Sequence, residues 1–164
     1  MALDREWLKY LLVINAYACI VQGMTSKKSD ICLAHTLRRA DRVVTQLYNE
    51  YLAPLDIRVT QFSILKALHI MGSTTALQIQ EALVMEQATV SRALKPLIRD
   101  GYIAVEEGEN KREKALSLSP QGKKLYQQAL VPWKAAQKKL RKILGHGQDD
   151  LLIELSRLIV TIKE

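Results

Sequence analysis

Residues 74–118 constrain the fold of this chain more than any other segment. Two stretches with the three- and four-residue spacing of an amphipathic helix come first, and a short turn joins them. Two stretches with strand-like alternation follow, with a charged loop between them. This order predicts a winged helix-turn-helix, and the fold class is therefore mainly α with a small β component. The apolar positions that support it are Leu77, Ile79 and Leu83, then Val90, Leu94, Leu97 and Ile98, and then 102–105 and 115–118.

Two further helices are predicted ahead of this segment. Apolar residues spaced by three and four over 31–52 predict a long helix, which Pro54 is expected to stop. Thr60 is expected to cap a second helix that ends at Gly72. The expected buried side of this second helix is Phe62, Ile64, Leu65, Leu68 and Ile70.

Two more helices are predicted after the hairpin. Ser119 and Pro120 have the residue types of a helix start, so a long helix is expected from there to about Gly145. A last helix is expected over 149–163, where leucine and isoleucine recur at helical spacing.

The first 30 residues form an extension ahead of these helices. Residues 8–21 are largely apolar but include Lys9 and Asn15, and the run is shorter than the roughly 20 residues that a membrane-spanning helix needs. A polar break over 23–30 follows. We therefore expect an amphipathic helix and a linker, and no membrane partner.

The charge of the chain is strongly basic and unevenly distributed. The 164 residues, enough for one domain with an appended dimerisation part, carry a formal net charge of +7. Such an excess suits an anionic partner, either nucleic acid or an acidic membrane surface. Residues 121–146 contain seven basic residues and no acid, whereas 87–114 contain six basic and five acidic residues. The predicted long helix after the hairpin is thus the basic element, and the reading segment is nearly neutral.

Few side chains are available to assemble an enzyme site. The two cysteines, Cys19 and Cys32, make neither a disulfide framework nor a metal cluster, and they fit a reducing cytoplasm. Three scattered histidines show no metal-ligand spacing, and motifs for a nucleophilic serine, a zinc protease or a phosphate-binding loop do not occur. We expect a cytoplasmic protein that is not an enzyme and uses no cofactor and no metal.

The predicted helix that begins near Gln87 has polar residues where a DNA-reading helix needs them. A major groove about 12 Å wide accepts one helix, whose first turns reach the base edges. Glutamine pairs with adenine, arginine with guanine, and threonine or serine contacts a phosphate or a thymine methyl group. Pro96 removes a helical hydrogen bond, so the reading residues are expected in the first two turns. The candidate DNA contacts on this helix are Gln87, Thr89, Ser91, Arg92 and Lys95.

The charged hairpin loop 109–114 is the candidate wing. An arginine at such a tip can enter the adjacent minor groove, where the negative potential is strong. Arg112 is the expected minor-groove residue, and Lys111 and Lys114 are expected on the DNA backbone. Three nearby acidic residues leave open the alternative of a solvated turn.

Three stretches match the pattern of a known family. They are TQFSIL at 60–65, ATVSRALKPLIRDGYI at 88–103, and KREKALSLSPQGKKL at 111–125. In these stretches the chain resembles the MarR family of winged-helix transcriptional regulators, and the resemblance extends over 31–164. Its most specific part is the hairpin exit, where Leu116, Leu118, Ser119 and Gly122 follow a charged wing.

Two positions depart from the family pattern. Asn110 stands where the family wing commonly has an aspartate, so the partner of Arg112 carries no charge. Val84 occupies a turn position where glycine is common, and we expect a strained or differently shaped turn there.

The resemblance implies a homodimer on double-stranded DNA with a pseudo-palindromic operator. Family members usually repress transcription, and a small phenolic ligand or cysteine oxidation often releases them. The implied organisation is an extension over 1–30, a dimerisation region over 31–53 and 120–164, and a DNA-binding domain over 54–119. The expected interface residues are Val44, Leu47, Leu130, Trp133, Leu140, Leu144 and the apolar residues of 151–162.

Two kinds of effector response are open. The resemblance implies a pocket for a small aromatic or phenolic effector between the dimer helices and the reading domain, with Arg39, Phe62, His69 and Trp133 as candidate lining residues. Cys32 is a candidate redox sensor because the start of a helix can lower the pKa of a thiol. The alternative for Cys32 is a small apolar residue without redox function.

Two interpretations of the function therefore remain open. The first is a sequence-specific transcriptional regulator, expected to be a repressor. The second is a low-specificity architectural DNA-binding protein that uses the lysine-rich helix.

Overall fold

The computed structural model of the protein describes residues 31–107 and 114–160. The chain divides into two compact units, Met1–Asp41 and Arg42–Glu164, and the first is described only over 31–41. The described residues form six α-helices, one 3-10 turn and one antiparallel pair of strands. The elements are α1 (Leu33–Leu52), the 3-10 turn Ala53–Leu55, α2 (Val59–Met71), α3 (Ala76–Leu83), α4 (Gln87–Arg99), β1 (Ile103–Glu107), β2 (Lys114–Leu118), α5 (Pro120–Leu144) and α6 (Gln148–Val160).

The predicted order of elements in 74–118 is confirmed. Two helices separated by a short turn precede an antiparallel hairpin, in which Ile103 pairs with Leu118 and Glu107 with Lys114. The predicted helix ends at Leu52 and Gly72 and the predicted start at Ser119-Pro120 are also found.

The start of α2 differs from the prediction, because Thr60 is not its N-cap. The helix begins at Val59, with Arg58 in the capping position, so Thr60 lies inside the first turn. Two side chains satisfy the first backbone groups. Asn49 of α1 accepts a hydrogen bond from the Val59 N–H at 2.8 Å, and Gln61 accepts one from the Arg58 N–H at 2.8 Å. An asparagine ten residues earlier therefore replaces a local threonine cap.

Ile70 is not part of the buried side of α2. It is 71% exposed in the protomer, whereas Phe62, Ile64, Leu65 and Leu68 are almost fully buried. Ile70 lies on the last turn of the helix, beside exposed Met71 and His69, and faces outward there.

A third segment joins the hairpin. Thr74 forms an isolated antiparallel bridge with Leu116, donating to its carbonyl at 3.0 Å and accepting from its N–H at 2.7 Å. Thr74 is buried, and its hydroxyl donates to the Gln78 Oε1 at 2.7 Å. This bridge fixes the start of α3 to the hairpin, and single-residue pairing of this kind leaves no periodic signal in a sequence.

The core lies in the reading domain and extends to the first half of α5. Its members come from the end of α1, the segment before α2, α2, α3, α4, the hairpin and α5, so burial of apolar surface holds these elements together. The largest fully buried side chains are Leu52, Phe62, Ile64, Leu65, Leu68, Ile79, Val90 and Leu97.

The last helix is different, because no residue of α6 is buried in the protomer. Its large apolar residues are between 41% and 62% exposed. An isolated water-soluble helix rarely exposes apolar side chains over more than half of its circumference. These residues are Leu151, Leu152, Ile153, Leu155, Leu158, Ile159 and Val160.

Candidate nucleic-acid interface

The helix-turn-helix begins with a capping box on α3. The Thr75 hydroxyl accepts a hydrogen bond from the Gln78 N–H at 3.2 Å, and the Gln78 side chain accepts one from the Thr75 N–H at 2.9 Å. Each side chain therefore satisfies a free donor of the first turn. Only Ile79 of this helix is fully buried, and Leu77 is 58% exposed.

The turn between α3 and α4 is a Schellman motif with a valine in the left-handed position. Val84 has φ 51° and ψ 45°, and its N–H donates to the Glu81 carbonyl at 3.1 Å. The Met85 N–H donates to the Gln80 carbonyl at 3.0 Å. Glycine favours this position because the left-handed conformation brings a Cβ close to the carbonyl oxygen, and a β-branched residue is an outlier there. The strain expected at Val84 is therefore present.

Replacing Val84 with glycine is expected to stabilise the protein. The side chain is half-exposed, so little packing is lost, while the left-handed strain of about 1–2 kcal/mol disappears. The greater freedom of glycine in the unfolded chain offsets part of this gain. We expect the free energy of unfolding to rise by about 1 kcal/mol in urea denaturation. Val84→Ala serves as a control with an intermediate effect, and a lower stability of Val84→Gly contradicts this account of the turn.

Helix α4 separates its polar and apolar residues onto opposite sides. Gln87, Ser91, Arg92 and Lys95 are exposed. Thr89 is half-buried and lies at the edge of this surface. The opposite side is buried and consists of Val90, Ala93, Leu94 and Leu97. The arrangement gives the helix a free polar face while the apolar side fixes it to the domain.

Arg92 lies back along its own helix. Its Nε donates a hydrogen bond to the Ala88 carbonyl at 3.0 Å, one turn earlier. The guanidinium is exposed, so a base or a phosphate can replace this bond at little cost. Pro96 lies inside the helix without ending it, and α4 continues to Arg99.

At the far end of α4, Arg99 and Asp100 form an exposed ion pair with a 2.6 Å separation between Nε and Oδ1. The hydrogen bond from Arg99 lowers the pKa of Asp100 below its ordinary value. Because both groups are exposed, the pair contributes little to stability.

The wing is described only at its base. Lys114 is exposed and stands opposite Glu107 in the hairpin register, so an acidic neighbour lies on the same face of the ribbon. Lys111, Arg112 and Asn110 lie outside the described residues, and their predicted roles remain predictions.

The entry to α5 is clamped onto the turn that follows α4. The Ser119 hydroxyl donates to the Gly101 carbonyl at 2.6 Å and accepts from the Gly122 N–H at 3.0 Å. A Cβ on Gly122 would lie 1.9 Å from the Tyr102 carbonyl oxygen. Only glycine therefore allows this close approach. The sequence shows Gly122 as part of the exit motif, but its contact depends on the tertiary fold.

Three of the four predicted effector-pocket residues lie around one aromatic cluster. The Phe62 ring stacks on Trp133 with a centroid distance of 5.4 Å and on Tyr126 at 5.8 Å. The His69 ring is 4.5 Å from Tyr126, and the Lys66 Nζ lies 4.8 Å from the Trp133 ring centroid. Tyr126, which the sequence did not single out, connects the group.

The members of this cluster differ in accessibility. Phe62 is a core residue with 1% exposure, while His69 is exposed and Trp133 half-buried. Arg39 is half-buried and lies in the other unit, on α1. An open depression of about 580 Å³ lies elsewhere, at the turn between α5 and α6, where Arg141, Lys142 and His146 line it.

Cys32 is an exposed free thiol just before α1. Its carbonyl accepts hydrogen bonds from the Thr36 N–H at 3.0 Å and from the Thr36 hydroxyl at 3.2 Å. It is therefore at the helix start that the sequence predicts.

Within the described ranges, no group of three histidine, cysteine or acidic side chains is placed to hold a metal ion. In the same residues, no helix combines the length and the apolar composition that a bilayer crossing requires.

Known proteins share both the sequence pattern and the fold. The family model for the MarR family matches residues 57–114. The uncharacterized HTH-type transcriptional regulator YwoH of Bacillus subtilis (strain 168) is 32% identical over 99 residues, which cover 60% of this chain and 72% of that protein. The multiple antibiotic resistance protein MarR of Salmonella typhimurium is 31% identical over 84 residues, covering 51% of this chain and 58% of that protein. The M. tuberculosis transcriptional regulator MosR, solved in complex with DNA, superposes with a TM-score of 0.69 at 27% identity, over 78% of this chain and 93% of that chain.

The matched segment 57–114 contains α2, the capped α3, the Schellman turn, α4 and the first strand of the wing. The most specific sequence motif, the exit through Ser119 and Gly122, lies just beyond it and forms the clamp described above. By its sequence and by its fold, the chain belongs to the MarR family of winged helix-turn-helix transcriptional regulators.

Proposed function

We propose that the chain is a sequence-specific DNA-binding regulator that acts as a homodimeric repressor and is released by a small aromatic effector. The observation that carries the proposal is the exposed polar face of α4. It lies on the helix that a winged helix-turn-helix inserts into the major groove. The DNA complex of MosR, which shares the fold at 27% identity, supports DNA as the partner. The proposed place of action is the cytoplasm.

The proposed contacts follow the chemistry of each side chain. Gln87 and Arg92 read base edges, since glutamine suits adenine and arginine suits guanine. Ser91 and Lys95 contact the phosphate backbone, and half-buried Thr89 contacts a thymine methyl group or a phosphate from the edge of the face. In the wing, Arg112 enters the minor groove and Lys111 and Lys114 contact phosphates.

The homodimer is supported by the apolar surface of α6. Seven large apolar residues on a 13-residue helix are exposed in the single protomer. A second copy that covers them removes this surface from water, which favours association. A two-fold axis then separates the two reading helices by about 34 Å, one turn of DNA. In this proposal 54–119 is the DNA-binding domain, and 31–53 and 120–164 form the dimerisation region.

The proposed effector site is the aromatic cluster. Exposed His69 and half-buried Trp133 offer ring surfaces beside Tyr126, and Lys66 supplies a positive charge over Trp133. A flat ligand with a phenol or carboxylate group matches these features. Oxidation of Cys32 is an alternative release signal, and a Cys32→Ser variant that binds operator but ignores peroxide is its signature.

Arg92→Ala tests the reading role of α4. We expect the affinity for the selected operator to fall by about 1–3 kcal/mol, roughly 5- to 150-fold, and the preference at one base position to relax, because a guanine contact is lost. The measurement is a binding titration on the operator and on all single-base variants of that site.

Arg99→Ala is the matched control, because it removes the same charge from the far end of the same helix. We expect the control to keep the base preference of the wild type. Equal base preference in Arg92→Ala and wild type contradicts the proposed reading face and favours an architectural DNA-binding protein.

A further inference from the structure

The long helix α5 presents a row of lysines on one side. The row, here named the α5 lysine stripe, consists of Lys123, Lys124, Lys134, Lys138 and Lys142, all of which are exposed. At 3.6 residues per turn these positions lie within a sector of about 100°, and they extend over about 28 Å of helix. The stripe is therefore a positive surface comparable in length to most of one DNA turn, with two lysines at its start and three after the uncharged residues 125–133. Arg141 lies on the same side of the helix and is paired with Asp149 of α6, with 3.0 Å between Nε and Oδ2.

The stripe faces away from the core. Leu125, Ala129 and Ala136 are buried and occupy the opposite side of α5. Leu140 and Leu144, which belong to the proposed dimer interface, are half-buried and lie nearer that buried side. The five lysines are thus exposed in the protomer and lie on a different side of α5 from Leu140 and Leu144.

The net charge of the protein resides on this helix. The DNA-binding domain over 54–119 contains eight basic and eight acidic residues, so its formal charge is zero. Residues 121–146 contain seven basic residues and no acid, which equals the net charge of +7 of the whole chain. The strongest attraction for a polyanion therefore lies outside the reading domain.

The stripe is also separate from the reading surface. Ser119, which caps α5, is hydrogen-bonded to Gly101 after the end of α4, and the reading face extends over residues 87–95 of α4. Lys134 lies 15 residues after Ser119, about 22 Å along α5, and Lys138 and Lys142 lie farther along the same helix. These three lysines are therefore the part of the stripe most distant from the entry of α5.

We propose that the α5 lysine stripe is a second DNA-binding surface, which holds a separate duplex segment through its phosphates without reading sequence. Lysine is a compact, mobile point charge that suits phosphate contacts without fixed geometry. The exposed residues between the lysines include Gln127, Val131 and Ala135 and no aromatic ring, so single-stranded bases find no stacking partner. The apolar side of α5 is buried in the core, so the helix cannot insert into a membrane as an amphipathic helix does. This inference rests on the proposed function for the first duplex.

The test uses the full chain and a triple variant, Lys134→Gln, Lys138→Gln and Lys142→Gln. These three lysines lie far from the reading face, and glutamine retains the helix propensity. The charge-preserving triple replacement by arginine is the matched control. Immobilised operator duplex is saturated with protein and washed, and a labelled duplex of random sequence is then added at several salt concentrations. Circular dichroism verifies that each variant is folded.

We expect wild type and the arginine variant to capture the second duplex and the glutamine variant to lose about tenfold or more of this capture. The slope of log affinity against log salt for random duplex is expected to become less steep by about 2–3, near 0.9 per lost phosphate contact. Retention on the operator and base preference are expected to be unchanged.

Two results overturn the inference: no duplex capture by wild type, or equal duplex capture by the glutamine variant. If the glutamine variant keeps duplex capture but loses binding to phosphatidylserine vesicles, the stripe binds an anionic membrane surface instead. Failure of the proposed function is distinct, because wild type then shows no operator preference. In that case the slope of log affinity against log salt for random duplex, compared between wild type and the glutamine variant, still tests whether the stripe binds DNA.

Discussion

Gly122→Ala is expected to lower the free energy of unfolding by about 3 kcal/mol. The new Cβ would lie 1.9 Å from the Tyr102 carbonyl oxygen and 3.3 Å from the Leu118 Cδ2. The first neighbour is backbone, so α5 or the turn after α4 has to move. Such a movement also weakens the Ser119 clamp, which is made of hydrogen bonds to Gly101 and Gly122.

The measurement is the midpoint and slope of urea unfolding, since an unchanged slope separates lost stability from a changed unfolded state. Gln127→Ala, an exposed position on the same helix, is the control and is expected to change stability by less than about 0.5 kcal/mol. A Gly122→Ala protein as stable as wild type contradicts the close approach of α5 to the turn.

Leu155→Glu on α6 is expected to convert the dimer to a monomer and to reduce operator affinity by about 100-fold or more. Leu151, Leu155 and Leu158 share one side of α6 and are exposed in the protomer. A carboxylate buried at the centre of their contact lacks a partner and pays a desolvation cost. Each monomer then engages one half-site alone and loses the gain from linked binding.

Light scattering measures the molecular mass in solution. The expected mass is 18.6 kDa for Leu155→Glu and twice that value for wild type. Arg157→Glu places a carboxylate on the polar side of α6, beside Glu154, and is the control, expected to stay dimeric. If Leu155→Glu keeps the doubled mass, α6 is not the interface.

The sequence predicted the elements of the reading domain because their signals are local. Periodicity marked α3 and α4, and Gly72 and Ser119 marked helix ends through backbone groups within a few residues. Val84 was also recognisable, because a valine in a turn position conflicts with a left-handed backbone.

The features that the sequence did not predict depend on distant residues. Thr60 was mistaken for a cap because the true partner of the Val59 N–H is Asn49, on the preceding helix. The Thr74 bridge depends on a residue of β2, 42 positions later.

The candidate sites were predictable to different degrees. The exposed face of α4 follows from helical spacing. Of its predicted DNA contacts, Thr89 is half-buried and the other four are exposed. The aromatic cluster was predicted only in part, since Tyr126 joins Phe62 and His69 through tertiary packing of α5 on α2.

Two reading helices, related by a two-fold axis, are proposed to face one side of a DNA duplex. Selection of bound sequences from a random duplex pool is the decisive measurement of this arrangement. We predict enrichment of an inverted repeat whose half-sites are about 10 base pairs apart from centre to centre. Enrichment of a single, unrepeated half-site, or of no motif at all, would contradict the account.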